Sequence, residues 1–332
     1  MIMVKKRINN FKFKNAISSL RSFFVAHELA GPLVSMILLF VASSMLSPRF
    51  LTLGNQVVIF LMYLPIVLLA LGESLIILMG SIDLSPGSIM GLVAIVTAYI
   101  NVYVKIQLST AIIIGIAIGI LCGLLNGILV TKAKLPSFVV TLAMLLAGRG
   151  LIFIITGGYS ITGGELPHLG VLVRQYFMLP LMAWIFFPLI PIYYFILRRT
   201  SLGLYIYAIG GNEEAVRASG VNADLIKVLT FSLAGLFYAI SGIFVLGQLQ
   251  SAYGYIGYGY ELNAIASCVL GGISLAGGSG SPFSPFVGGY ILTLIQNVLI
   301  LLGVNPYYQW VVTGIVLVAA GAALTRGVRF SK

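Results

Sequence analysis

The sequence predicts an all-α, polytopic membrane protein of about ten transmembrane helices, with an internal repeat and broken helices. Three observations predict it. The 332 residues are 60% hydrophobic with a mean hydropathy of +1.09, which leaves too little polar surface to cover a water-soluble domain. Apolar runs approaching the ~20 residues of one bilayer crossing recur along the chain. The 38 glycines and 12 prolines are many for plain spans. They suit helices that approach closely, or that break where a neighbour or a cavity satisfies the backbone.

Residues 1–30 carry Lys5, Lys6, Arg7, Lys12, Lys14 and Arg21. This arm is longer than the basic region of a cleaved signal, and no small-x-small pattern follows a short apolar run. It reads as a cytoplasmic arm, either amphipathic at anionic headgroups or a disordered basic tail. The transmembrane domain is expected over 31–325. Its crossings fall near 31–47, 56–79, 89–104, 110–130, 138–156, 178–197, 228–247, 264–280, 284–303 and 310–324. Pro188 and Pro191 should kink the sixth crossing, and the eighth is the least secure of the ten. Residues 326–332 form a short tail. With the N-terminus inside, fifteen Lys and Arg residues fall on inner segments and only Arg49, Lys105 and Arg174 outside. The positive-inside rule therefore places both termini and the 198–227 segment in the cytoplasm of a multi-pass inner-membrane protein. The net charge of +11 follows from this topology and not from a nucleic-acid surface. Cys122 and Cys268 sit in apolar runs and read as packing residues, with neither disulfide nor metal site implied.

The most informative stretch is the polar island Arg198–Lys227, which holds Arg198, Arg199, Glu213, Glu214, Arg217, Asp224 and Lys227. Within it, Asn212-Glu213-Glu214-Ala215-Val216-Arg217-Ala218-Ser219-Gly220 reads as a complete miniature helix. Asn212 is the N-cap, the glutamates face the positive end of the dipole, Glu213 and Arg217 pair four apart, and Gly220 stops it. So short a helix is marginal alone and persists best when Ala215, Val216 and Ala218 pack against something. A rigid capped knob on one membrane face suits a partner that pushes it.

The two halves of the chain echo each other. Gly80-Ser81-Ile82-Asp83-Leu84-Ser85-Pro86-Gly87-Ser88 and Gly271-Gly272-Ile273-Ser274-Leu275-Ala276-Gly277-Gly278-Ser279 share G-x-I-x-L-x-x-G-S, each between apolar runs. Transporters are commonly built from such repeats, with interrupted helices at the repeat interface. Glu73, Asp83, Arg149 and Glu261 lie in or beside spans, and Asn126 lies within one. An unpaired charge there costs on the order of 3 kcal/mol on insertion scales, so each must face a cavity, a partner or the boundary. These five are the candidates for a translocation pathway; the competing reading is helix-to-helix bracing. The tyrosines of Gln248–Asn263 read as an interfacial belt or a docking surface. No catalytic constellation, metal cluster or phosphate-cradling loop is visible, so any energy from ATP must come from another subunit.

Ile82-Asp83-Leu84-Ser85 with Gly87-Ser88, Tyr205–Glu213, and Val269–Gly278 together resemble the membrane permeases of bacterial ABC monosaccharide importers, in particular the ribose type. The resemblance runs from about residue 31 to the end of the spans. It implies no enzyme activity and no cofactor on this chain, with ATP and Mg²⁺ on separate ATPase subunits. It also implies an extracytoplasmic sugar-binding protein, a second permease copy in a homodimer, and a small sugar as solute. By resemblance Gly211–Gly220 is the segment seated in the ATPase. Pro282 and Pro285 depart locally from the pattern. The alternatives from the residues alone are an ion-coupled secondary carrier using Glu73, Asp83 or Glu261, and a sensor that uses the knob without transport.

Overall fold

The computed structural model describes residues 29–305, 307–315, 318 and 321. The arm, except for its last two residues, and the tail 326–332 lie outside them, as does part of the tenth crossing. The helices are α1 (Ala30–Leu46), α2 (Leu53–Leu78), α3 (Pro86–Val102), α4 (Leu108–Lys132) and α5 (Ser137–Thr156). A 3₁₀ turn over Leu166–Leu172 and a small hairpin pairing Gln175–Tyr176 with Leu179–Pro180 follow. Then come α6 (Leu181–Phe186), α7 (Leu189–Arg199), α8 (Ser201–Ala218), α9 (Ala223–Leu249), α10 (Tyr260–Leu270) and α11 (Ser284–Leu301). Residues 307–315 are helical.

Among the described residues, six helical stretches are long and apolar enough to cross a bilayer: α2, α4, α5, the α6–α7 pair, α9 and α11. The shorter apolar helices α1, α3 and α10, of 17, 17 and 11 residues, lie where the other three crossings up to 303 were expected, each shorter than the ~20 residues of a full crossing. The sixth crossing breaks at Phe187-Pro188, where proline cannot continue the helix behind it. The eighth differs from its expected bounds of 264–280, because α10 stops at Leu270. Gly272, Gly277, Gly278 and Gly280 take φ of 93°, 85°, 70° and 150°, so residues 271–283 form a loop that the apolar composition alone disguises.

α2 forms the axis. From Tyr63 to Leu78 it is buried throughout, packed between α9, α10 and α11. Pro65 in its middle has no N–H, which would strand the Leu61 carbonyl four residues back. The Gln248 Nε2 donates to that carbonyl at 2.7 Å, and Ser241 Oγ donates to Pro65 O at 2.9 Å. The proline is therefore tolerated because α9 supplies the missing donor.

α4 shows how glycine sets helix contact. Ala111, Gly115, Gly119, Gly123 and Gly127, four apart, form its buried edge, while Ile113, Leu121 and Leu125 are exposed. A Cβ on Gly123 would lie 2.2 Å from Phe231 O, so α9 lies backbone to backbone against this stripe.

Neighbouring contacts fix direction. Gly72 meets Ala234 and Tyr238, and Leu61 meets Gln248, so α2 and α9 run antiparallel along their length. The ends of α2 and α10 lead to the same region as the start of α9, and α3 and α11 run back from it. The two echoing loops thus follow helices of the same sense, as in a parallel repeat.

Candidate coupling segment and polar interior

The island folds around a capped turn. Asn212 interrupts α8 with extended backbone, φ −161° and ψ 100°, and its Oδ1 accepts the Ala215 N–H at 3.0 Å. Gly220, at φ 85°, closes the turn. Arg217 donates to Glu213 Oε1 from Nη2 at 2.8 Å and from Nε at 3.1 Å, and also to Asp224. Lys227 Nζ reaches the other Glu213 oxygen at 2.5 Å. Asn222 Oδ1 caps α9 through the Leu225 N–H at 3.1 Å. The knob is thereby clamped to the first turn of α9 by four charged side chains. Burial pushes the Glu213 carboxyl up, but its bonds to Lys227 and Arg217 outweigh that and hold it below the ordinary carboxylate range. The Arg217 hydrogen bond holds Asp224 low as well. Of the small apolar side, only Val216 is buried, while Glu214, Ala215 and Ala218 face outward. That outward face is free for a partner.

The root of the knob meets both echoing loops. A Cβ on Gly210 would lie 2.0 Å from Leu78 O and 2.5 Å from the Gly278 nitrogen, and one on Gly277 would lie 2.7 Å from Gly80 Cα. The Gly278 N–H donates to Leu78 O at 2.8 Å, and the Tyr207 hydroxyl donates to Gly280 O at 2.7 Å. Two of the segments that carry the family resemblance, Tyr205–Glu213 and Val269–Gly278, meet at this glycine junction, against Leu78 and Gly80, which lead into the third.

The five candidate pathway residues divide into two groups. Glu73, Asp83 and Asn126 are at most 1% exposed and belong to one network. Asp83 Oδ1 accepts from the Ser85 N–H at 2.7 Å and the Ser85 hydroxyl at 2.5 Å, at the start of α3. Asn126 Nδ2 donates to Ser85 Oγ at 3.0 Å, and the Asp83 N–H donates to Glu73 Oε1 at 3.3 Å. The Tyr238 hydroxyl lies 3.2 Å from Asp83 Oδ2 and 3.4 Å from Glu73 Oε2, offering one proton to both. This network ties α2, α3, α4 and α9 together.

Arg149 and Glu261 form the second group. Arg149 Nη1 donates to Ile256 O at 2.7 Å, its guanidinium lies 5.4 Å from the Tyr258 ring, and Nη2 is 3.9 Å from Glu261 Oε2. The Glu261 carboxylate packs against Gly87, where a Cβ would come within 2.1 Å of Oε2. Glu261 also lines a cavity of about 480 Å³ between α2, α10, α11 and the 309–314 segment. A smaller adjoining cavity of about 380 Å³ shares Gln248, Tyr258, Tyr260 and Trp310 with it. Gln248 lies twenty-five residues along α9 from Ala223, so about 38 Å of helix separates the cavity from the knob. Sequence reasoning named Glu261 here but not Gln248, Asn263, Gln296 or Gln309, which lie on four different segments. Their one signal was amide side chains inside otherwise apolar runs.

Comparison with known proteins gives a consistent picture. Residues 55–321 match the family described as branched-chain amino acid transport system / permease component. The ribose import permease protein RbsC of Bacillus subtilis (strain 168) is 39% identical over 87% of this chain and 90% of its own. The probable ABC transporter permease protein YphD of Escherichia coli (strain K12) is 36% identical over 91% of each chain. The autoinducer 2 import system permease protein LsrC of Yersinia pseudotuberculosis serotype O:1b (strain IP 31758) is 34% identical over 89% of this chain and 84% of that one. No solved structure gave a significant match.

Proposed function

Since the chain belongs to this family of transport-system permease components, we propose that it is the membrane-spanning permease subunit of an ATP-binding-cassette importer for a monosaccharide or sugar-like solute. The observation that carries the reading is the capped Asn212–Ser219 knob, whose root touches the loops that end α2 and α10. A separate ATPase subunit, binding ATP and Mg²⁺, seats the outward face of Glu214, Ala215 and Ala218. Closing of two such subunits moves the knob as a rigid body, because its charged clamp ties it to α9. The glycine junction passes that motion to both broken-helix loops, and the bundle alternates between outward- and inward-facing states. An extracytoplasmic sugar-binding protein delivers solute to the opposite face. A second copy of the chain completes the pathway, and both termini are cytoplasmic. In this scheme Glu73, Asp83 and Asn126 brace the helices, while Arg149 and Glu261 border the solute route.

The ion-coupled carrier finds no support among the relatives, whose names describe import-system or ABC permeases. The test is uptake of labelled D-ribose, D-xylose and D-galactose into vesicles holding permease, ATPase and binding protein. ATP-dependent accumulation of one of them supports the assignment. Accumulation undiminished when the ATPase is left out refutes it.

A further inference from the structure

The cavity beside Glu261 has the chemistry of a binding site and not of a packing defect. Its volume of about 480 Å³ falls in the range of small-molecule sites. Gln248, Asn263, Gln296 and Gln309 each present an amide, which both donates and accepts. Only a weak bond, Gln296 Nε2 to Asn263 Oδ1 at 3.5 Å, joins two of them. Glu261 Oε2 is buried against Gly87 and lies 3.9 Å from Arg149 Nη2, so Glu261 adds charge to the cavity wall and not an open acceptor. At the rim the rings of Tyr258 and Trp310 lie 6.4 Å apart at 35°, and both are exposed, at 58% and 65%. Flat aromatic faces at the mouth and amides within suit a solute that carries hydroxyls around an apolar ring face.

We infer that this cavity is a holding site for a neutral polyhydroxylated ring, a monosaccharide, on its way through the permease. The inference rests on the permease reading and adds where the solute is held. Charge favours this solute class. The Glu261 carboxylate, although 3.9 Å from Arg149, disfavours an anion, and an apolar solute would leave the remaining donors and acceptors of these amides unfilled. Gln248 has a second duty, since its Nε2 already serves Leu61 O, so its carbonyl oxygen is the end left for solute. The Arg149–Ile256 bond anchors the loop that carries Tyr258, which makes Arg149 a positioning residue for the rim.

The experiment uses the assembled permease, ATPase and binding protein in proteoliposomes, with D-ribose, D-xylose and D-galactose as probes. Gln296→Leu and Gln309→Leu, each close in volume to the wild type, are expected to lower the initial rate of ATP-driven uptake at least 10-fold while the complex is recovered intact. Independently, Gln296→Cys is expected to react with a polar methanethiosulfonate above the background of Cys122 and Cys268. The transported sugar should slow that reaction several-fold. Uptake within 2-fold of wild type in both leucine variants, or labelling indifferent to the sugar, overturns the holding site and leaves the permease reading standing. Wild-type vesicles that take up none of the three sugars with ATP overturn both.

Discussion

Replacing Gly210 by alanine tests whether the glycine junction is a mechanical contact. The new Cβ would sit 2.0 Å from Leu78 O and 2.5 Å from the Gly278 nitrogen, well inside van der Waals contact with backbone that cannot rotate away. Overpacking of this kind costs about 1–3 kcal/mol. Against two interconverting states, that corresponds to about a 5–150-fold change in the population holding the junction closed. Gly54, at the start of α2 and outside the knob, is the internal control, because a Cβ there meets nothing within 4 Å. The assay pairs the thermal midpoint of purified permease with ATP-driven sugar uptake. Gly210→Ala is expected to lower the midpoint and cut uptake at least 5-fold, while Gly54→Ala keeps both near wild type. Equal behaviour of the two variants would refute the junction as the link between knob and loops.

The knob clamp and the α2 proline give further expectations. Arg217→Ala removes both the Glu213 and Asp224 bonds from a half-exposed site, so it should cost global stability no more than about 1 kcal/mol, yet weaken ATPase capture in a pull-down; undiminished capture would count against the clamp. Glu213 and Asp224 are held below their ordinary range, so their stabilisation is present above that range and disappears as pH falls through the lowered values. Knob-to-α9 rigidity, read by exchange of backbone amides over 213–226, should therefore be unchanged from neutral to mildly acidic pH and fall only in strong acid; loosening near neutrality would show the sign to be wrong. Gln248→Leu should destabilise the protein by about 1–3 kcal/mol through the stranded Leu61 carbonyl. Pro65→Ala in the same chain should restore part of the loss by supplying an N–H to that carbonyl. A double variant no better than the single one would contradict this account of the proline.

Local chemistry was legible in the sequence. The Asn212 cap, the Glu213–Arg217 pair and the Gly220 stop follow from spacing alone, and each takes the expected geometry. The Phe187-Pro188 break follows from proline's missing N–H. The eighth crossing was harder to bound, because Ile273, Leu275 and Ala276 keep the hydropathy high across a glycine loop. Long-range pairings left no local trace. Nothing near Pro65 says that Gln248 will serve the freed carbonyl, and nothing near Gly210 says that it will meet Leu78 and Gly278. The cavity was hidden for the same reason: its amides are one per segment, and only the fold gathers them. The buried network is an intermediate case. The Gly80–Ser88 echo, which holds Asp83, suggested an interrupted helix, but Tyr238, which bridges Asp83 to Glu73, looked like any other tyrosine in a span.

A cytoplasmic Asn212–Ser219 knob seated in an ATPase is what drives the proposed transport cycle. A membrane-impermeant maleimide applied to Ala215→Cys tests it most directly, since Ala215 is exposed and both native cysteines lie in spans. Labelling is expected in inside-out vesicles, none in intact cells, and slower labelling when the ATPase is bound. Labelling in intact cells would contradict it.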